Sequence, residues 1–334
     1  MTAIGACTTG APPGFSDGEQ WVIPLVGPLE DGLLLVPTFV NDQGPFLFAI
    51  DPDAYISIID EDVLHTTKVP AGEGPHLLDE SDTQQTRQYA EVSSLKAGTL
   101  TVSGQRYVQL VRKGTFDADG RRIHGVLGRD VIADSLVFGF DRDLGVATLS
   151  TQKAFKKPVG AMSLSYTKLL STVLNAEVVP LPRRLVHATI GGMQYPLHVD
   201  FGATYSQLRP RAWPRANLAT SETQTGVVDE VGVIRPVKQM GVADEVTVRD
   251  ATTKSVSFVP YADKRWPDQD IEGTLGLGFF RPYSVFANWD NDTLYLTPRK
   301  DGTSTKLVAR IGRWQSKTLS GCADVGCVKV SLVD

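Results

Sequence analysis

With three cysteines and five histidines in 334 residues, the chain has little material for a thiolate or imidazole metal centre. His65, His76, His124, His187 and His198 are scattered without an HExxH or any paired metal spacing, so zinc hydrolysis is not expected. No stretch reaches the roughly 18 apolar residues that cross a bilayer. An excess of one charge is missing too: 33 Lys and Arg against 38 Asp and Glu leave a net charge of −5, with its contributors spread along the chain. No basic face of the kind that neutralises phosphates is visible, which argues against nucleic acid as a partner. Gly276-Leu277-Gly278 lacks the downstream glycine of a dinucleotide loop. Cys7 lies in a tether-like leader, and catalysis by a nucleophilic Ser or Cys is not expected. No metal and no cofactor is predicted.

The chain is rich in 31 Gly and 20 Pro, set between short runs of Val, Leu, Thr and Phe. That texture describes many strands and turns, an all-β protein. Its length accommodates two ordinary domains, and an apolar share of 42% is enough to give each a core.

Two halves of the sequence lie over each other. Residues 46–57 run as an apolar strand into Asp51-Pro52-Asp53-Ala54 and on to Ser57; residues 195–206 run into Asp200-Phe201-Gly202-Ala203-Thr204 and on to Ser206. The shared frame Asp-x-x-Ala-x-x-Ser repeats with an offset of 149 (200 − 51). Each copy follows another strand and a turn, so each is predicted as a hairpin that delivers an acid at its far end. Further on, Gly125-Val126-Leu127-Gly128 matches Gly273-Thr274-Leu275-Gly276 at an offset of 148 (276 − 128). A Val-Phe pair ending in Phe138 or Phe286, an Asp-bearing turn and a last alternating strand complete each copy. Such a duplication predicts two similar β lobes about an approximate two-fold axis, which brings equivalent residues face to face. The expected boundaries are a flexible leader 1–18, an N-terminal lobe 19–150, a connection 151–175, a C-terminal lobe 176–300 and an extension 301–334. Periodicity leaves the connection open between a strand and a short helix.

This ordered set of motifs resembles the aspartic peptidase superfamily, and most of all bacterial retropepsin-like or pepsin-like proteins with both lobes in one chain. The likeness rests on Ile50-Asp51-Pro52-Asp53-Ala54 and Val199-Asp200-Phe201-Gly202-Ala203-Thr204, and on Leu127-Gly128 and Leu275-Gly276, the elements that pack beneath the acid loops in that family. It implies a bilobal, pepsin-like all-β fold and an endopeptidase in which Asp51 and Asp200 share a proton and activate a water, with an extended peptide in the cleft between the lobes. It also implies a flap, for which Gly72 to Tyr89 is the candidate segment and Tyr89 the candidate tip residue; a tyrosine on a surface strand is the favoured reading of Tyr89.

The chain departs from the family at both acid loops. Pro52 and Phe201 stand where a Thr or Ser hydroxyl is expected, and Asp53 replaces a glycine that Gly202 retains. Asp53 could be tolerated in a left-handed turn, with its charge either raising the proton affinity of the pair or pointing to solvent. The departures support an alternative, a pseudo-peptidase that binds in the envelope without turnover. His198, two residues before Asp200, shares its strand face, with packing the favoured role.

At the ends, Ile4-Gly5-Ala6-Cys7 reads either as the close of a lipoprotein signal, which makes Cys7 a lipidation candidate, or as a leader with one thiol. Cys322 and Cys327 are spaced for a small disulfide loop in preference to a two-thiolate metal site, in keeping with an exported protein that is periplasmic, outer-membrane or extracellular.

Overall fold

The computed structural model describes residues 20–26, 32–54, 56–73, 77–78, 84–85, 88–111, 113–116, 121–132, 135–170, 182–228, 234–261 and 271–300. The chain is mostly strand. Its first half runs through β1 (Gln20–Pro24), β2 (Leu35–Val40), β3 (Gln43–Ile50), β4 (Ile58–Asp60), the helix α1 (Glu61–Thr67), β5 (Ala71–Glu73), β6 (Leu77–Leu78), β7 (Gln84–Gln85), β8 (Gln88–Ala97), β9 (Leu100–Val111), β10 (Gly125–Leu127), β11 (Leu136–Asp141) and β12 (Val146–Thr151). The second half follows with β13 (Met162–Ser165), β14 (Thr167–Leu170), β15 (Pro182–Ile190), β16 (Met193–Val199), β17 (Ser206–Leu208), β18 (Ala219–Val228), β19 (Ile234–Val248), β20 (Ala251–Pro260), β21 (Gly273–Leu275), the short helix α2 (Leu277–Phe280), β22 (Tyr283–Asn288) and β23 (Thr293–Pro298).

The duplication in sequence is a duplication in topology. Strands of the first half pair in the order β2-β3-β10-β4-β9-β8, and β8 returns to β2 to close the ring. In the second half β15-β16-β21-β17-β20-β19 close in the same order, through β15 and β19. Two pairings in each ring are parallel, β3 with β10 and β4 with β9, matched by β16 with β21 and β17 with β20. Among the described residues each ring strand has a strand partner on either side, a closure that in β proteins limits indiscriminate strand addition.

Local chemistry fixes the same points in both rings. The β2–β3 turn is made by Asn41 and Asp42 with φ of 49° and 60°, and the β15–β16 turn by Gly191 and Gly192 with φ of 56° and 80°. Two successive left-handed residues match the twist of a hairpin, and Asn, Asp and Gly adopt that conformation at least cost. Gly128 and Gly276 are required by close approach: a Cβ on Gly128 would lie 2.7 Å from the backbone of Ile56, and one on Gly276 2.7 Å from the carbonyls of Ala203 and Tyr205. In α1, Asp60 accepts hydrogen bonds from the amides of Asp62 and Val63 as its N-cap, and left-handed Lys68 ends the helix.

A third sheet joins the halves. Its order is β1-β12-β11-β22-β23-β13, three strands from each half, meeting where β11 pairs antiparallel with β22. There Val137 faces Asn288 and Phe140 faces Val285, so the pairing reads the same from either half, the signature of a local two-fold axis. The described part of the stretch joining the halves holds turns and two strands and no helix: β13 adds to this sheet beside β23 and β14 adds to the second ring beside β15. Among the described residues no helix is long and apolar enough to cross a membrane.

Candidate active site

The acids stand at the ends of β3 and β16. Each acid loop is tied down at its first residue: the Asp51 amide donates to the Leu127 carbonyl at 3.0 Å and the Asp200 amide to the Leu275 carbonyl at 3.1 Å. Each carboxylate is then oriented by the amide two residues on, Asp53 to Asp51 Oδ1 at 2.8 Å and Gly202 to Asp200 Oδ1 at 2.9 Å. The serines that close the repeat frame, Ser57 and Ser206, are buried, and their hydroxyls accept the amides of Gly128 and Gly276, both at 3.0 Å. Ala54, Ala203 and Thr204 contribute carbonyls, which accept from the amides of Arg129, Leu277 and Gly278 at 2.9, 2.8 and 3.2 Å. Asp130, which sequence reasoning overlooked, adds a brace in the first half only: its Oδ1 takes both the amide and the hydroxyl of Ser57, at 2.6 and 2.7 Å.

These two supported loops meet. One carboxylate oxygen from each of Asp51, Asp53 and Asp200 lies within 4.8 Å of the others. Gly202 makes the approach possible, because a Cβ there would fall 2.3 Å from the Asp51 carboxyl carbon. Its φ lies outside the left-handed region, so space and not backbone freedom demands glycine. Asp53 likewise has no positive φ, which corrects the expectation of a left-handed turn at that position.

Asp53 points into the protein, toward the second half. Its Oδ1 receives Arg184 Nη1 at 3.1 Å and faces His198 Nε2 at 3.5 Å. Both partners are buried, and the Arg184 guanidinium stacks on the Trp289 ring at 3.9 Å. His198 Nδ1 accepts the Arg184 amide at 3.1 Å, so the ring proton sits on Nε2, toward Asp53. His198 thus keeps the strand face foreseen for it and does more than pack. Arg184 and Trp289 went unnoticed in the sequence; nothing in their spacing marks them.

The electrostatics divide the acids. Burial works to raise the Asp53 carboxyl, but the His198 imidazole and the charges of Arg184 and Arg183 prevail and hold it at about 2. Asp200 is pushed the other way, up to about 6, by burial first and then by the negative charge of Asp53. An acid kept ionised, beside a pair of carboxyls that cannot both ionise cheaply at this separation, is suited to holding and moving a proton. Three carboxylates this close could also hold a cation, but one of the three is already engaged by a guanidinium.

The other predicted positions resolve as follows. Phe201 is fully buried and touches Phe140 at 5.6 Å, Phe280 at 5.1 Å and Trp289 at 6.1 Å between ring centroids, so an aromatic cluster occupies the place where the resemblance expects a hydroxyl. Pro52, its counterpart in the first acid loop, is buried as well. Tyr89 is 2% exposed, which corrects the surface-strand expectation: β8 is flanked by β5 and β9, and Tyr89 sits opposite Gly72 and Gln109. Cys7, Cys322 and Cys327 lie outside the described residues, as does Gly14-Phe15-Ser16-Asp17-Gly18, a match to the G-x-S-x-G spacing that the expectation against a serine nucleophile overlooked. Compared with known proteins, the sequence matches no family model and no curated protein.

Proposed function

We propose that the chain is an aspartic-type endopeptidase of pepsin-like, two-lobed build, in which Asp51 and Asp200 activate a water against a peptide carbonyl. The observation that carries this reading is the meeting of two like acids, from equivalent strand ends of a duplicated unit, within 4.8 Å. Matching amide donors behind each carboxylate support it further. In such a pair one proton is shared: the ionised carboxylate draws a proton from water as oxygen bonds to carbon, and the neutral acid protonates the carbonyl oxygen. When the tetrahedral intermediate collapses, the C–N bond breaks, the first carboxyl returns its proton to the leaving nitrogen, and the second recovers its own from the hydroxyl. No covalent enzyme intermediate and no metal enters this scheme. The substrate is an extended peptide between the lobes, and the working place is an exported one, with Cys7 as the lipid tether.

The pH dependence follows from the raised Asp200. The singly protonated pair is present below about 6 and is lost as pH rises through it, so cleavage falls toward neutral pH. The test is digestion of an unfolded-protein mixture from acidic to neutral pH by wild type, Asp51→Asn and Asp200→Asn. Cleavage by wild type that both variants abolish is expected; a wild type with no turnover across that range overturns the peptidase reading. Pro52 and Phe201, which remove the usual hydroxyls, favour that second outcome, a cleft that binds peptides without cutting them.

A further inference from the structure

The two halves are each other's control. By strand register Leu35 faces Ala49 in the first ring as Leu185 faces His198 in the second, so His198 corresponds to Ala49 and Arg184 to Leu34. In the acid loops Asp53 corresponds to Gly202 at the offset of 149 (202 − 53). Three ionisable side chains therefore replace Gly, Leu and Ala: those of Arg184 and His198 both reach Asp53 across the two halves, and the Arg184 backbone amide donates to His198 Nδ1. The counterparts on the opposite side, Leu34, Ala49 and Gly202, carry no ionisable group, and Gly202 presents only hydrogen to Asp51. A buried charged cluster is a poor way to gain stability compared with the apolar residues its counterparts use.

We propose that Asp53, Arg184 and His198 act as one positioning unit that breaks the symmetry of the acid pair, fixing the shared proton on Asp200 and leaving Asp51 as the ionised base. This rests on the reading of Asp51 and Asp200 as the working pair. The amide donors cannot distinguish the two acids, since each receives one at nearly the same distance. The Asp53 side chain can. Arg184 and the His198 Nε2 proton draw its carboxylate to the second half and hold it there as an anion, on the strand face that carries Asp200. An anion fixed at that place disfavours a second one on Asp200, so the proton stays there. The groups that act on Asp200 are Asp51 and Asp53 from the first acid loop, His198 from its own strand, Arg183 from β15, and the Gly202 amide; of these the acids alone favour its neutral form. Asp51 then takes the proton from water, and Asp200 delivers its own to the carbonyl oxygen. Arg184, His198 and Asp53 exchange no proton with substrate.

The experiment is a carboxyl-carbon NMR titration of the resting protein labelled at aspartate, with the Asp200 signal assigned by its loss in Asp200→Asn. In wild type the Asp200 signal should titrate last of the site's acids. In Asp53→Asn its midpoint should fall by about one pH unit, a roughly tenfold change in proton affinity, and the neutral limb of kcat/KM should move with it. In the paired variant D53N/R184M, which leaves neither charge buried alone, the midpoint should fall likewise, and this variant serves where D53N is unfolded. An unchanged Asp200 midpoint in either folded variant, or a last-titrating signal that belongs to Asp51, overturns the proposal. The titration needs no substrate, so a protein that cuts nothing yet shows the shift refutes the peptidase reading and leaves the placement of the proton standing.

Discussion

Replacing Arg184 with Met isolates the energetics of the buried pair. The side chain is 1% exposed, lies between Asp53 at 3.1 Å and the Trp289 face at 3.9 Å, and Met keeps much of its apolar length while removing the cation. Removing one partner of a buried ion pair costs about 3 to 5 kcal/mol, because the other charge stays behind without compensation. Losing the stack on Trp289 accounts for up to about 2 kcal/mol of the change. The protein can escape part of the penalty by protonating Asp53. From an ordinary carboxylate value that step costs about 4 kcal/mol at pH 7, so it offers little relief there, but almost nothing at pH 4. Equilibrium urea unfolding of wild type, R184M, D53N and the double variant should therefore show R184M destabilised by about 3 to 5 kcal/mol at pH 7 and by about 2 kcal/mol or less at pH 4. The double variant should be more stable than R184M at pH 7. A loss in R184M under about 1 kcal/mol at pH 7, or an equal loss at both pH values, would refute the view that Arg184 neutralises a buried anion.

Gly202→Ala should abolish close contact between the acid loops, since its Cβ would fall 2.3 Å from the Asp51 carboxyl carbon; a loss of stability of about 1 to 3 kcal/mol and loss of any peptide cleavage are expected in unfolding and digestion assays. Asp200, raised to about 6, contributes stability that is complete below about 4 and lost as pH rises through 6, whereas Asp53, lowered to about 2, contributes stability present above about 4 and lost as pH falls through 2. Each is worth roughly 2 to 3 kcal/mol, so unfolding free energy should flatten on the neutral limb in Asp200→Asn and on the acid limb in Asp53→Asn. Ser57→Ala should cost more than Ser206→Ala, by about 1 kcal/mol in the same assay, because both strand a glycine amide but only Ser57 also donates its hydroxyl to Asp130.

Much of the ring architecture is visible in the sequence because a strand that ends in an acid, a two-residue turn and a glycine that cannot bear a side chain each leave a local mark. The repeat of Asp51, Ala54 and Ser57 as Asp200, Ala203 and Ser206 is legible for that reason, and so is the convergence of the acids. Constant spacing misleads by one residue before the β2–β3 turn, where an irregularity between Thr38 and Val40 shifts the register and makes Leu34 the counterpart of Arg184. The clamp on Asp53 is hidden for a different reason. Arg184 is 131 residues from Asp53, and only the packing of the halves brings them together. His198 could be placed on the right face by counting from Asp200, but what it faces belongs to the other half. Tyr89 was misplaced because strand neighbours on both sides, β5 and β9, are set by long-range pairing.

The seam between β11 and β22 sets a condition on taking the molecule apart. Because the pairing is nearly the same seen from either side, a first half produced alone would carry an open strand whose best available partner is an identical strand on another copy. Isolated halves should therefore come off a sizing column as twofold assemblies, with an Asp51 opposite an Asp51, and the intact chain as one that satisfies its own seam.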